Sequence, residues 1–504
     1  MANTPVQTSD PGAKDPGVSD PGPVEARQMI TLSGFESKVL GNTRDICIRL
    51  PDSYATSADS YPVVYMHDGQ NIFSPGGPFG CWYVENAVKA LTDAHAMKDV
   101  IIVGIGNTSA RIPEYNYGDF YDVNGAHQTG GVESYAQFVM TELMPCINEQ
   151  FRTKTGPANT AIVGSSYGGM ASLYFAWFHS DVFGMAGCFS STLRYLDPTT
   201  SQWLETPLLR AIKESSGPKK PVRFWLYAGD REKLDPENDG MYNYAEWTYS
   251  LAHTLLGKGW VNEDDLLFEI GRNETHSETS WSKYAGKPFQ FFFGTDTTFT
   301  PTALSARLTA SDLDLDKVAK ASYLLAKVSY ANGLTAEVPF TSLTSCTIDR
   351  PTYLDNAQGV FSLAEGVSIT PPVVVNITAA YKGFESSAAL NIVQNISTEV
   401  PITFTVTTPD NSGDTIYLIG SFCSWKFSGA VVLNKTGSAD GKSTYVGTTP
   451  LKKGAVVEFK FCAGSAWSYE EQTAEGASIP NRKFEVGTSP TKYEGTVLQW
   501  KAVP

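Results

Sequence analysis

Ala161-Ile162-Val163-Gly164-Ser165-Ser166-Tyr167-Gly168-Gly169-Met170 reads as a buried strand that turns sharply into a helix. Inside it, Gly164-x-Ser166-x-Gly168 has the spacing of a nucleophile elbow in its required strand–turn–helix context. The turn forces the central serine into a strained backbone, and side chains two residues to either side would collide. The helix that follows aims its first amides at the site, where they favour developing negative charge. Ser165 lacks a glycine two places before it, so Ser166 is the candidate nucleophile.

Outward from the elbow, apolar runs at 63–66, 100–105, 160–163, 223–227 and 266–270 predict strands. Helical patterns at 132–151 and 169–178 lie between them. That alternation predicts an α/β domain with a largely parallel sheet covered by helices on both faces. A serine nucleophile needs a base, and the base needs an orienting carboxylate. His179 follows the elbow too closely, and His253 sits in a helical apolar pattern. His276, in the polar stretch Asn273-Glu274-Thr275-His276-Ser277 after a strand, is the candidate base. Asp230, Glu232 and Asp235 follow the strand ending at Ala228-Gly229, and spacing alone does not choose among them. Tyr167 follows the nucleophile and supplies one oxyanion-hole amide. Gln70, in the loop His67-Asp68-Gly69-Gln70 after an early strand, supplies the other. His67 reads as a structural loop residue.

The chain has 504 residues, 42% hydrophobic and 18% charged, with a formal net charge of −15. This composition is globular, and its acidity argues against nucleic-acid and anionic-membrane partners. No apolar run reaches the ~18 residues of a membrane span. Cys47, Cys81, Cys146, Cys188, Cys346, Cys423 and Cys462 form no CxxC pair and no disulfide framework. No metal or organic cofactor is expected. Asp-Pro-Gly recurs at residues 10–12, 15–17 and 20–22, so residues 1–28 read as a flexible tether. An α/β domain is expected over 29–296. Two strand-rich blocks follow at 297–394 and 395–504, read as β-sandwiches. The alternation Asp312-Leu313-Asp314-Leu315-Asp316 reads as a strand face rather than a calcium loop.

Three resemblances add to this reading. Tyr61-Pro62-Val63-Val64-Tyr65-Met66-His67-Asp68-Gly69-Gln70-Asn71, then Gly104–Thr108 with Arg111, Glu114 and Tyr115, then the elbow, then His276 with Trp281, resemble the esterase D superfamily. That group includes carbohydrate esterase family one, with feruloyl and acetyl-xylan esterases, enterochelin esterases and mycolyltransferases. The resemblance implies an α/β-hydrolase fold over about 260 residues and a serine esterase that needs no cofactor. It points to Glu232, three residues after Gly229, as the triad acid in place of the commoner aspartate. Trp82, Tyr115 and Trp281 are the expected substrate contacts. Residues 297–394 resemble a bacterial immunoglobulin-like domain. Ile416-Tyr417-Leu418-Ile419-Gly420-Ser421-Phe422-Cys423-Ser424-Trp425 resembles the opening of a starch- or glycogen-binding module of families 20 and 48. There Trp425, Lys460, Trp467 and Asn481 would hold sugar. The expectation is a secreted bacterial esterase acting on an acylated plant polysaccharide such as xylan. The alternatives are a siderophore or other small-ester hydrolase, and a carbohydrate-binding surface protein with an inactive hydrolase domain. Removing the last block is expected to leave hydrolysis of small esters unchanged.

Overall fold

The computed structural model describes residues 29–121, 125–200, 202–233, 240–315, 321–394 and 399–504. The tether expected over 1–28, and Asp235 and Asp316, lie outside the described residues.

The first domain is built on an eight-stranded sheet. Its strands are β1 (Met29–Ser37), β2 (Asn42–Arg49), β3 (Val63–His67), β4 (Ile101–Ile105), β5 (Thr160–Ser165), β6 (Met185–Phe189), β7 (Arg223–Gly229) and β8 (Leu266–Gly271). Their order is β1-β2-β4-β3-β5-β6-β7-β8. Strand β2 runs antiparallel to β1 and β4, and the pairs from β4 through β8 are parallel. The mostly apolar central strands follow from burial on two faces. Along β3, Val63 and Tyr65 enter one core, and Val64 and Met66 enter the other. Helices Tyr167–Phe178 and Asn243–Gly257 cover the first face, and Val84–Asp93 and Gly286–Phe293 cover the second. This is the α/β-hydrolase arrangement. The expected helix over 132–151 is one continuous helical run with a π-helical turn at Val139–Leu143 in its middle.

A sandwich follows. One sheet holds Pro301–Leu308, Ala321–Tyr330, Thr335–Glu337, Leu354–Ala357 and Val360–Leu363. The other holds Asp312–Asp314, Ser345–Ile348, Val373–Tyr381 and Phe384–Val393. Asp312–Asp314 is a strand paired with Asn391–Val393, and Leu313 is buried. The sandwich is not a separate bead. Its Leu324, Val328, Ala336 and Val375 share one apolar core with Leu267, Phe289 and Phe292 of the hydrolase domain. Residues 399–504 form a seven-stranded sheet curled around a core of Phe404, Leu418, Tyr445, Phe459, Phe461 and Trp500, with a two-stranded piece beside it.

Candidate active site

Parallel strands deliver their following loops to one edge of the sheet. Ser166 follows β5, Glu232 follows β7 and His276 follows β8. Ser166 has φ 59° and ψ −121°, a conformation that costs an L-residue ~1–3 kcal/mol and persists only where the surroundings impose it. Those surroundings leave no room for side chains. A Cβ on Gly164 would stand 2.7 Å from the carbonyl carbon of Gly168, and one on Gly169 would stand 2.7 Å from the Phe189 oxygen. The Ser166 amide donates to Phe189 O at 2.9 Å, and Thr192 N donates to Ser166 O at 3.1 Å, fixing the turn.

The three side chains form one hydrogen-bonded line. Ser166 Oγ lies 3.0 Å from His276 Nε2, and His276 Nδ1 lies 2.8 Å from Glu232 Oε2. Glu232 is fully buried. Its second oxygen accepts from the Gly229 amide at 2.6 Å and from Ser190 Oγ at 2.7 Å. Trp281 Nε1 donates to that same Ser190 hydroxyl at 2.9 Å. Donors thus fix the carboxylate on one side. On the other it accepts from Nδ1–H, which leaves Nε2 free to take the serine proton. Burial pushes the His276 imidazole below the ordinary histidine value, and the Glu232 bond opposes that shift. Asp230 faces away from the histidine. It pairs with Arg307 of the sandwich at 3.0 Å and accepts the Asn273 amide at 2.8 Å. His253 lies in the helix Asn243–Gly257, with Nδ1 bonded to Tyr249 O at 2.9 Å.

Gln70 lies in a short 3-10 turn directly after β3, and Tyr167 opens the elbow helix. The β3 loop is locked from below. Asp68, in the left-handed region at φ 57°, is gripped by Arg111 through Nε at 2.6 Å and Nη2 at 2.7 Å, and by Asn107 Nδ2 at 2.6 Å. Gln70 Oε1 accepts the Asn107 amide at 3.2 Å. His67 ends β3 instead of lying in the loop. It is buried against Tyr115, Tyr135 and Phe175 and bonded to the Tyr135 hydroxyl at 3.0 Å.

The expected substrate contacts are corrected by burial. Tyr115 is 0% exposed, Trp82 is 3% and Trp281 is 4%. Tyr115 packs under Arg111 and the Asp68 turn. Trp82 packs between Phe189 and Trp281. Trp281 sets its ring edge-on to His276, 5.0 Å between centroids, and serves as a wall behind the imidazole. Two contacts to the triad escaped the sequence reading. Ser190 bridges Trp281 to Glu232, and Tyr244 stacks 4.4 Å from the His276 ring with its hydroxyl beside Ser166. Neither belongs to a short motif. The signal available was position alone: Ser190 directly follows β6, next to the elbow strand in the sheet.

In the C-terminal domain, Trp425 and Trp467 come together, 6.0 Å between centroids and 38° between planes, with Phe427 against Trp467. Trp467 is 41% exposed, Trp425 is half-buried, and neither joins the core. Trp425 is held at φ 59° after Ser424 at φ 51°, so a left-handed pair presents the ring. Lys460 is tied to Glu470 at 3.3 Å. Asn481 bonds Glu458 Oε2 at 3.3 Å, on the side of the domain that meets the hydrolase.

Residues 37–282 match the Esterase family, and residues 399–496 match the starch-binding domain of carbohydrate-binding family 20. The uncharacterized protein YbbA of Bacillus subtilis is 21% identical over 268 residues, covering 52% of this chain and 98% of that protein. An amylopullulanase of Thermoanaerobacter thermohydrosulfuricus is 32% identical over 139 residues, 26% of this chain and 9% of the enzyme. A solved ferulic acid esterase superposes with a TM-score of 0.39 at 19% identity, over 53% of this chain and 97% of its own. The chain carries an ester-hydrolase domain of the Esterase family in its N-terminal part and a starch-binding domain at its C-terminus.

Proposed function

We propose that the chain is a secreted serine esterase that removes feruloyl or acetyl groups from a plant polysaccharide. The division of labour runs over residues 29–296 for hydrolysis, 297–394 for support and 395–504 for holding the polymer. The observation that carries the reading is the line Ser166–His276–Glu232, in which each hydrogen bond is at most 3.0 Å. Ser166 Oγ attacks the ester carbonyl as His276 Nε2 takes its proton. The amides of Tyr167 and Gln70 receive the oxyanion. The tetrahedral intermediate collapses, His276 protonates the departing sugar oxygen so that it leaves as a hydroxyl, and an acyl-Ser166 remains. Water, deprotonated by His276, releases the acid and restores the serine. Trp425 and Trp467 stack on sugar rings of the same polymer.

A second reading of the polymer is favoured by the starch-binding match: the glycan held is an α-linked glucan, not xylan. The test is an acyl-release assay on methyl ferulate, acetylated xylan, acetylated starch and a siderophore ester, with wild type and Ser166→Ala. Turnover of a polymer-borne ester by wild type, lost ~10³-fold or more in Ser166→Ala, is the expected result. Preference for the siderophore ester, or undiminished turnover in Ser166→Ala, overturns the reading.

A further inference from the structure

The loop that carries His276 is built from two domains. Strands Val456–Cys462 and Arg482–Glu485 of the C-terminal domain place Glu458 and Lys483 directly opposite each other. The two pair at 3.2 Å. They reach into the turn around the histidine. Lys483 Nζ donates to Thr275 Oγ1 at 2.9 Å and to Ser280 Oγ at 3.3 Å, and lies 3.5 Å from Ser277 Oγ. Thr275 Oγ1 in turn donates to Glu458 Oε1. Thr275, Ser280 and Glu458 are buried, and the Lys483 side chain, 30% exposed, reaches them from the rim of the contact. One step back, Asn273 Nδ2 donates to Glu485 Oε1 at 3.2 Å. Residues immediately before and after His276 are thus gripped by the starch-binding domain.

The loop needs this grip. Asn273 sits in the left-handed region at φ 57°, and a half-buried stretch without regular structure separates β8 from the short helix at Glu278–Ser282. His276 must satisfy Ser166 and Glu232 at once, and a displacement of ~1 Å in such a group costs ~10²-fold in rate. We propose that Glu458 and Lys483 are positioning residues of the hydrolytic site: the C-terminal domain sets the histidine loop as well as holding polymer. The proposal rests on the reading of Ser166, His276 and Glu232 as the reacting line.

The experiment uses the full chain and the soluble ester p-nitrophenyl acetate, which needs no polymer anchoring. Lys483→Met and Thr275→Val are expected to lower kcat by ~10-fold or more, with KM moving less than ~3-fold, because geometry and not acyl binding is lost. Thr275→Ser keeps the hydroxyl and retains kcat. The double variant Thr275→Val/Lys483→Met falls little further than the worse single one, as members of one network do. Near-wild-type melting of Thr275→Val separates the effect from misfolding, and the contrast between its valine and serine forms stands even if Lys483→Met is unstable. If both single variants keep kcat within twofold while Ser166→Ala is dead, the positioning role is overturned and the reacting line survives. If Ser166→Ala is active, the reacting line itself falls.

Discussion

Glu232 and Asp230 are two residues apart and do different work. Glu232 is sealed among the Gly229 amide, the Ser190 hydroxyl and the His276 ring, and Asp230 points outward to Arg307. Glu232→Gln keeps the volume but puts an amide where Nδ1–H needs an acceptor. A kcat loss of ~10³–10⁴-fold is expected, the scale for removing an orienting carboxylate. Asp230→Asn is expected to cost less than ~10-fold in kcat and ~1–3 kcal/mol of stability, since it strands buried hydrogen-bonding partners. Steady-state kinetics and thermal unfolding of the two variants check the assignment. The pH profile belongs at this scale too. In the proposed mechanism His276 takes the serine proton only when neutral, so activity is expected to rise as pH climbs through its pKa. Burial lowers that pKa, which places the acid limb of kcat/KM below the ordinary histidine value of 6.5. Glu278, two residues on and bonded by Asn71 Nδ2 at 3.2 Å, is pushed up to about 7 by burial and titrates nearby. The limb that persists in Glu278→Gln is the histidine's, and a midpoint above 6.5 in that variant would refute the assignment.

Elements were legible where chemistry demands a local pattern. The elbow announces itself because a side chain has no room at 164 and is crowded at 168, and five strands announce themselves by apolar runs buried on both faces. Aromatic side chains gave no such signal. Trp82, Tyr115 and Trp281 were expected to touch substrate, but a sequence does not say which face of a loop turns inward, and all three are packing behind the site. Tyr83, which the sequence also offers as a rim aromatic, is exposed, as is Phe79 on the same Ser74–Val84 stretch. Glycine at 69 is required by a close approach to β4: a Cβ there would stand 2.5 Å from the Gly104 carbonyl carbon. Gly69→Ala is therefore expected to push β3 and β4 apart, cost ~1–3 kcal/mol and drag Gln70 off its place. Melting temperature and kcat should fall together, and a stable variant with normal kcat would show that the turn has slack. On the C-terminal domain, Trp467→Ala should abolish retention on starch with little change in melting temperature. Trp425→Ala should also lose retention if, as proposed, its ring is half of the sugar platform with Trp467. Unchanged retention in both variants would mean that the pair holds no glycan.

At the scale of the molecule, the sequence showed three blocks but not how they lean on one another. Composition shifts mark boundaries; contacts between distant residues leave no local trace. Glu269 of β8 is buried between Lys287 of its own domain and Lys327 of the sandwich, at 2.7 Å from each. Both lysines hold its carboxyl below its usual range against the opposing effect of burial, which is the larger single influence. Around that cluster the two domains share an apolar core, so the sandwich is packed tightly against the hydrolase domain. If the positioning role proposed for Lys483 and Glu458 holds, small-ester hydrolysis depends on the C-terminal block, against the expectation from the sequence. Two truncations separate these roles. A chain ending at Gly294 would expose Leu267, Phe289 and their neighbours to water, and at ~25 cal/mol per Å² of apolar surface it cannot retain its stability. It should aggregate on expression. A chain ending at Gln394 keeps that core closed and should fold cooperatively, with its histidine loop unclamped. Its kcat for p-nitrophenyl acetate should drop ~10-fold or more while KM holds. Full activity of the Gln394 chain would return the C-terminal domain to polymer binding alone, and a soluble, active Gly294 chain would show that the shared core is dispensable.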